Sequence, residues 1–292
     1  MNFNEIDFCP TMGKFNTKVV SALLADGLFA GGEKAQGLLA ARYEQMKKIC
    51  GKVPHDDSRW NLDGVKADKK DKAALLPVPK DRIGDCGTLV NQLWEHLNFG
   101  HDMPTWMAKR GEKNPRRVMI VSQDPLRTNH KAGSLVLSTP FGFHSADYRA
   151  IRCENQVLFC FVERLLEECH ACVYLTDCRK FFTDDVLEGS RGKANFVRSH
   201  QRQYRAMFKS VLDAEMAAFD PDLVVTLGND AAQYVGVEPP RNGFEIQKIG
   251  GRRVIAAYHT GAYASVLRRF VASDGVKTYF DKVFSAVCDS LR

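Results

Sequence analysis

The sequence predicts an α/β fold, a three-layer α/β/α arrangement around a central four-stranded parallel sheet, with a helical N-terminal extension. Two observations lead to it. Beyond residue 116, four short apolar runs alternate with helical stretches, a pattern typical of strands buried on both faces of a parallel sheet. Before residue 100, apolar residues instead recur at helical spacing. The predicted strands are Val118–Ser122, Val173–Thr176, Leu223–Leu227 and Val254–Ala257.

The N-terminal part of the chain is predicted to be helical, with one polar interruption. A lysine-rich stretch over 56–72 has few apolar residues and is predicted to be a loop. We therefore divide the chain into a helical extension, 1–112, that packs on an α/β domain, 113–292. The predicted helices of the extension are 18–29, 34–49 and 87–99.

The composition is that of a globular protein without a membrane span. Hydrophobic residues make up 45% of the chain and charged residues 26%, and no apolar run approaches the roughly 20 residues that cross a bilayer. The N-terminal residues lack the apolar core of a signal peptide. We therefore expect a cytoplasmic protein with no membrane partner.

A basic segment, residues 191–209, is the main indication of an anionic partner. It holds six basic residues and no acidic one, in a chain whose net charge is +6. Only the surface that meets phosphates has to be positive, so this segment favours nucleic acid binding, and a solvated helix face is the alternative. The basic residues are Arg191, Lys193, Arg198, Arg202, Arg205 and Lys209, with Phe196, Tyr204 and Phe208 interleaved.

The nine cysteines predict reduced thiols rather than a disulfide framework, because no signal peptide is recognised. Cys169 and Cys172 form a Cys-x-x-Cys pair that could belong to a zinc or iron–sulfur site. The sequence contains no second such pair, and buried reduced cysteine is a common small hydrophobic residue. We therefore expect neither a metal nor another cofactor.

The predicted strands end in polar residues. In sheets of this kind ligands bind beyond the carboxyl ends of the strands. Three of the four ends offer a titratable or hydrogen-bonding group to a common cleft. The ends read Ser122-Gln123-Asp124-Pro125, Asp177-Cys178-Arg179, Gly228-Asn229-Asp230 and Tyr258-His259-Thr260.

The first strand end resembles the water-activating motif of the uracil-DNA glycosylase superfamily. That motif runs Gly-Gln-Asp-Pro-Tyr-His after a buried strand, and Gln123-Asp124-Pro125 matches its centre. Residues 173–180 resemble the superfamily's strand that ends in a base-reading Asn, 224–235 its strand–Gly–helix element, and 256–261 its final strand ending in His. The resemblance covers 116–269. It implies the superfamily's fold and a monomeric, metal-free DNA glycosylase.

The resemblance assigns chemistry to two residues. Glycosidic cleavage passes through an oxocarbenium-like sugar while the departing base gains negative charge, so the site needs a carboxylate near the sugar and donors aimed at the base. By resemblance, Asp124 orients or deprotonates the attacking water and His259 donates to O2 of the base. The alternatives are an N-cap or turn role for Asp124 and a purely structural role for His259.

Further residues are expected to hold the flipped base and the DNA. Phe141 resembles a ring that stacks on the base, and Phe143 could take its place, unless either ring belongs to the core. The chain departs from the superfamily's Pro-Ser-Pro-Leu-Ser wedge loop after His259, so other side chains must hold the strand open. The resemblance adds Gln123 and Leu126 to the base pocket, and the residues expected on DNA are Arg198, Arg202, Tyr263, Arg268 and Arg269.

Two departures from the uracil motif bear on which base is read. Asp177 stands where uracil-reading members have Asn, and a carboxylate is the natural acceptor for the N4 amino group of cytosine. Leu126 stands where the motif has Tyr, a ring that excludes a 5-methyl group. Together they predict a 5-modified cytosine, hydroxymethylated or glucosylated as in phage DNA, and a role in defence.

Other functions remain open at this point. A uracil-DNA glycosylase of base-excision repair would share the same motifs. A module that binds modified DNA without cutting it would use Asp124 as an N-cap and rely on the basic segment. A nucleoside hydrolase or deoxyribosyltransferase would also use carboxylates at strand ends.

Overall fold

The computed structural model describes the chain in segments that contain both strands and helices. The described residues are 6–7, 76–78, 97–102, 104–109, 111–123, 134–143, 156–179, 182–185, 201–241, 243–260 and 275–292. The strands are β1 (Ile6–Asp7), β2 (Leu76–Val78), β3 (Leu97–Asp102), β4 (Thr105–Lys109), β5 (Arg116–Ser122), β6 (Ser134–Ser138), β7 (Ala171–Asp177), β8 (Phe182–Asp185), β9 (Leu223–Leu227), β10 (Glu245–Ile249) and β11 (Arg252–Ala257). The helices are α1 (Gln156–Glu167), α2 (Gln201–Phe219), α3 (Asn229–Val235) and α4 (Gly275–Leu291), and a 3₁₀ turn spans Pro140–Gly142.

The larger of two sheets has seven strands in the order β1-β4-β7-β5-β9-β11-β10. β5 pairs in parallel with β7 and with β9, and β9 pairs in parallel with β11. β1, β4 and β10 are added by antiparallel pairs. The α/β class and the four predicted strands are confirmed. The sheet is mixed and wider than the four-stranded parallel sheet that the sequence predicts.

β10 and β11 form a hairpin that is not among the predicted elements. Gly250 and Gly251 connect the two strands with φ values of 53° and 83°, and two successive residues with positive φ suit a tight hairpin turn. β10 alternates between half-buried and exposed residues, Ile246 being 55% exposed. The Gly-Gly pair is the signal that would have indicated this hairpin.

A second sheet has four strands in the order β2-β6-β3-β8. β3 begins at Leu97, so the predicted helix over 87–99 is wrong at 97–99, because pairing with β6 and β8 overrides a local helical pattern. The domain boundary at 112 stays a prediction. The predicted helices 18–29 and 34–49 and the loop 56–72 lie outside the described residues.

One face of the larger sheet packs against α1 and α4. Ile120 of β5 and Leu175 of β7 lie in a buried apolar cluster with residues of both helices. Phe161 of α1 packs edge-on against Phe280 and Phe284 of α4, with ring centroids 5.7 and 6.4 Å apart. None of the helices in the described segments is long and apolar enough to span a bilayer.

A disulfide joins the end of α1 to α4. Cys169, just beyond α1, is bonded to Cys288. The expectation of reduced thiols is therefore wrong for Cys169, whose partner is Cys288 and not Cys172. Cys172 is buried in β7. The two bonded cysteines are 119 residues apart in the sequence, so local spacing could not have paired them.

The other face of β7 meets α2 through a buried carboxylate. Tyr174 and Thr176 alternate along β7 with the apolar residues of the cluster and so point to the opposite face. Their hydroxyls donate to Oε1 of Glu215, at 3.0 and 2.9 Å. Glu215 is fully buried, and Phe219 of α2 stacks on Tyr174 with ring centroids 5.1 Å apart.

Removing the carboxylate of Glu215 should destabilise the protein strongly. Glu215→Ala leaves two buried hydroxyl donors without their acceptor, and we expect the free energy of unfolding to fall by about 3 kcal/mol or more. Glu215→Gln, which keeps an acceptor oxygen, should lose less. Urea unfolding measures both. The control Asp213→Ala removes an exposed carboxylate paired with Lys209 on the same helix and should cost below about 1 kcal/mol. Equal losses for Glu215→Ala and Asp213→Ala would contradict this account.

Candidate functional site

The sheet order creates a crevice at the carboxyl ends of β5 and β9. From β5 the chain continues to β7 on one side, and from β9 it continues to β11 on the other side. Two neighbouring parallel strands whose connections run in opposite directions leave such a crevice beyond their carboxyl ends, and ligands of open α/β sheets bind there. We call the edge of the sheet where β5, β7, β9 and β11 end the carboxyl edge.

His259 crosses the carboxyl edge to reach Ser122. β11 and β5 lie on either side of β9, so their backbones are two strand spacings apart, roughly 10 Å. Nε2 of His259 nevertheless lies 3.3 Å from Oγ of Ser122, a hydrogen bond whose donor depends on the tautomer of the ring. Ser122 is buried and His259 is partly exposed. The imidazole therefore extends over the end of β9 into the crevice.

Gly228 makes this crossing possible. It follows β9 with φ 94° and ψ 171°, a conformation that is essentially restricted to glycine. A Cβ at this position would lie 3.2 Å from Cβ of His259. Its N–H donates to the carbonyl of Ala257 at 2.7 Å, which holds the end of β9 against the end of β11. Because Gly228 has no side chain, Cβ of His259 can lie close to it.

Phe141 lies beside the imidazole in a strained conformation. Its φ of 57° and ψ of 16° are left-handed, which is uncommon for a residue with a large side chain. The turn around it is closed by hydrogen bonds from the N–H of Gly142 to Thr139 and from the N–H of Phe143 to Pro140. The ring centroids of Phe141 and His259 are 5.6 Å apart with a tilt of 31°. Strain of this kind is often found at functional sites.

Phe143 lies in the core. It is 1% exposed and packs edge-on against Phe159 of α1, with ring centroids 5.3 Å apart. The ring that lies beside His259 is that of the other aromatic residue predicted to stack on a base, Phe141. Phe143 therefore anchors the turn to the buried core.

Backbone hydrogen bonds hold Asp177 and Gln123 beside Ser122 at the carboxyl edge. Asp177 is buried and is the register partner of Ser122 at the end of the β5–β7 pair. The ladder continues past the strands, because the N–H of Cys178 donates to Ser122 and the N–H of Arg179 donates to Gln123, at 2.8 and 3.0 Å. The backbone that leads into Asp124 is thus fixed as far as Gln123.

Arg179 links the ends of three strands. Its guanidinium is fully buried, and Nη2 lies 2.9 Å from Oδ2 of Asp230 in the first turn of α3. Burial raises the pKa of the adjacent Tyr234 to about 12, and the Cys178 thiol adds to the rise, while Arg179 and Arg205 oppose it. Arg179, Asp230, Ser122 and Gly228 have no individual role in the sequence prediction. Their place at strand ends, where ligands of such sheets bind, is the signal that could have indicated one.

Tyr279 anchors the chain just before His259. Its hydroxyl accepts the N–H of Tyr258 at 2.9 Å and donates to the carbonyl of Gly243 at 3.1 Å. Burial raises the pKa of Tyr279 above that of an exposed tyrosine. The C-terminal helix α4 therefore holds the backbone from which His259 extends.

The structure brings His259 and Phe141 together and sets Gln123 and Asp177 at the same edge.

In the basic segment, Arg205 is exposed and lies 5.6 Å above the ring of Tyr234, and Phe208 is buried. Among the described residues no group of three or more His, Cys, Asp or Glu side chains could hold a metal ion. The predicted site residues outside the described segments are Asp124, Leu126, Arg198, Tyr263, Arg268 and Arg269, and of Arg202 only the backbone, in α2, is described.

A side chain at position 228 should displace His259. We expect Gly228→Ala to lower the free energy of unfolding by about 1–3 kcal/mol through backbone strain, and to shift the His259 ring signals in NMR spectra. Gly251→Ala is the matched control, because it also places alanine at positive φ but has no neighbour within 4 Å. If both variants leave the His259 signals unchanged, His259 does not depend on the space above Gly228.

Comparison with known proteins assigns no family. No protein-family model matches the chain, and no curated protein matches it. The resemblance to uracil-DNA glycosylases therefore remains a prediction from motifs. Function has to be inferred from the residues and contacts at the carboxyl edge.

Proposed function

We propose that the chain is a monofunctional DNA glycosylase that flips a modified pyrimidine out of DNA and hydrolyses its N-glycosidic bond. One observation carries the proposal. His259 sits in the crevice at the carboxyl edge, bonded to Ser122 and covered by Phe141. A hydrogen-bonding imidazole beside an aromatic ring provides the two kinds of contact that a flipped base requires.

The reaction uses a carboxylate and a hydrogen-bond donor. Water adds to C1′ of the deoxyribose, the bond from C1′ to the base breaks, and its electron pair leaves with the base. Asp124 orients the water and receives its proton, and His259 donates to O2 as negative charge develops there. The carbonyl of Gln123, the residue before Asp124, accepts the N–H of Arg179, so the backbone is held at the carboxyl edge as far as Gln123.

The left-handed conformation of Phe141 supports a stacking role. A strained residue persists only where its surroundings over-determine it, and such residues cluster at ligand sites. Phe141 is half-buried against the apolar cluster, so part of its ring is accessible to a ligand. A base stacked on it would also lie close to the imidazole.

The packing of the helices supports a three-layer glycosylase-like fold. α1 and α4 pack on the apolar cluster at one face of the sheet, and Glu215 of α2 bonds to β7 from the other face. Helices on both faces are the usual cover of a doubly wound sheet. We include in the proposal that the protein acts as an intracellular monomer.

The proposed base is a 5-modified cytosine. Asp177 is buried at the carboxyl edge in register with Ser122, a position from which a carboxylate can accept the N4 amino group. Leu126, in place of the motif's Tyr, would leave room for a substituent at C5. Hydroxymethylated or glucosylated cytosine is the proposed substrate, and defence against phage DNA is the proposed role.

A single gel assay tests the activity. Oligonucleotides that carry cytosine, 5-hydroxymethylcytosine, glucosylated cytosine, uracil or hypoxanthine are incubated with the protein and EDTA, then heated in alkali to break abasic sites. We expect cleavage of a modified-cytosine strand. Cleavage of the uracil strand alone would indicate a repair enzyme. Salt-sensitive binding with no cleavage of any strand would refute the glycosylase and favour a binding module.

Asp124 should be required for cleavage of every substrate. Asp124→Asn removes the charge that stabilises the sugar and the base that activates water, so we expect the excision rate to fall by roughly 10²- to 10⁴-fold with little change in DNA binding. Single-turnover assays measure the rate. Asp289→Asn, at an exposed position on α4, is the control and should retain full activity. An Asp124→Asn variant as active as this control would exclude the assigned role.

Asp177 should determine which base is excised. Asp177→Asn replaces an acceptor with an amide that can donate to O4 of uracil. We expect the rate on modified cytosine to fall and the rate on uracil to rise, each by roughly 10- to 100-fold. Competition between the two substrates in one reaction measures the ratio. An unchanged ratio would show that Asp177 does not read the base.

A further inference from the structure

We infer that Ser122 is a positioning residue that orients the imidazole of His259 for the proposed reaction. This inference rests on the proposed function and adds a residue to it. Oγ of Ser122 lies 3.3 Å from Nε2 of His259, and the serine is 2% exposed. The serine end of the contact is therefore shielded from solvent, where a hydrogen bond has more effect on orientation.

The hydroxyl of Ser122 has no counterpart in the motif that this segment resembles. In the motif that the segment resembles, the residue before Gln-Asp-Pro is glycine, whereas here it is Ser122. A glycine at this position would bring no side chain to Nε2. Serine at this position therefore adds a polar contact to Nε2 of His259.

Three contacts fix the ring together. Oγ of Ser122 is bonded to Nε2, the ring of Phe141 lies against the imidazole, and the backbone at Gly228 lies close to Cβ of His259. The last two are steric and leave open which ring nitrogen carries the proton. A hydrogen bond to one nitrogen of an imidazole determines this tautomer, and with it the direction in which the other nitrogen can donate or accept.

The consequence is a preorganised donor. Donors that are already aimed at the developing charge accelerate a reaction more than donors that must first rotate. A serine hydroxyl that donates to Nε2 leaves the ring proton on Nδ1, which can then donate to the base. Ser122 thus acts through His259 and does not itself touch the base.

Kinetics with matched variants test the role. Ser122→Ala should lower the single-turnover rate of excision by about tenfold, the usual effect of losing one such hydrogen bond, while the dissociation constant for DNA stays unchanged and the protein remains folded at the assay temperature. Ser122→Thr keeps the hydroxyl and should recover most of the rate. Ser285→Ala, an exposed serine on α4, is the control. A wild-type rate for Ser122→Ala would overturn the inference.

NMR tests the orientation without relying on activity. In protein labelled with ¹⁵N-histidine, the signal of His259 is identified by its loss in His259→Gln. We expect one dominant tautomer in the wild type and a mixture in Ser122→Ala, and identical spectra would overturn the inference. If the wild type excises no base but the tautomer changes as expected, the proposed function fails while the Ser122–His259 coupling stands. Covalent labelling of Ser122 by a fluorophosphonate would instead mark it as a nucleophile and overturn its positioning role.

Discussion

The parallel pairing of β5 with β7 on one side and β9 on the other determines where the polar groups of the site can lie. Pairing in register sets Ser122 level with Asp177, and the β9–β11 pair then brings His259 within reach. A slip of one residue would turn every side chain of a strand to the opposite face. The apolar cluster and the buried Glu215 lie on opposite faces of the same strands, so the packing of both faces protects the alignment at the carboxyl edge.

The sequence predicts those parts of the fold that depend on burial. The four central strands are apolar on both faces, and short runs of this kind are typical of strands covered on both sides. β4 and β10 are not predicted because they lack such an apolar run and carry polar residues such as Lys109 or Lys248. β3 is not predicted because its pairing with β6 and β8 joins segments that are distant in the sequence. The disulfide between Cys169 and Cys288 depends on the packing of α1 against α4, which no local pattern encodes.

The candidate site was predictable where a residue type carries its own chemistry. His259 and Asp177 stand at strand ends in the sequence, and Phe141 lies in a motif. Ser122, Gly228 and Arg179 have roles that depend on neighbours distant in sequence, and these became visible only through distances. The proposed roles of Asp124 and Leu126 come from the motif, and the described backbone reaches as far as Gln123, whose carbonyl accepts the N–H of Arg179.

The hydroxyl of Tyr279 gives the C-terminal helix a part in the site. It bonds the peptide one residue before His259 and also the carbonyl of Gly243, so α4 serves as a brace for the strand that ends at the imidazole. Shortening the chain from its carboxyl terminus would remove this brace while every residue of the crevice was still present. A chain that ends soon after His259 would thus keep the residues of the crevice and lose the contacts of Tyr279 that align them.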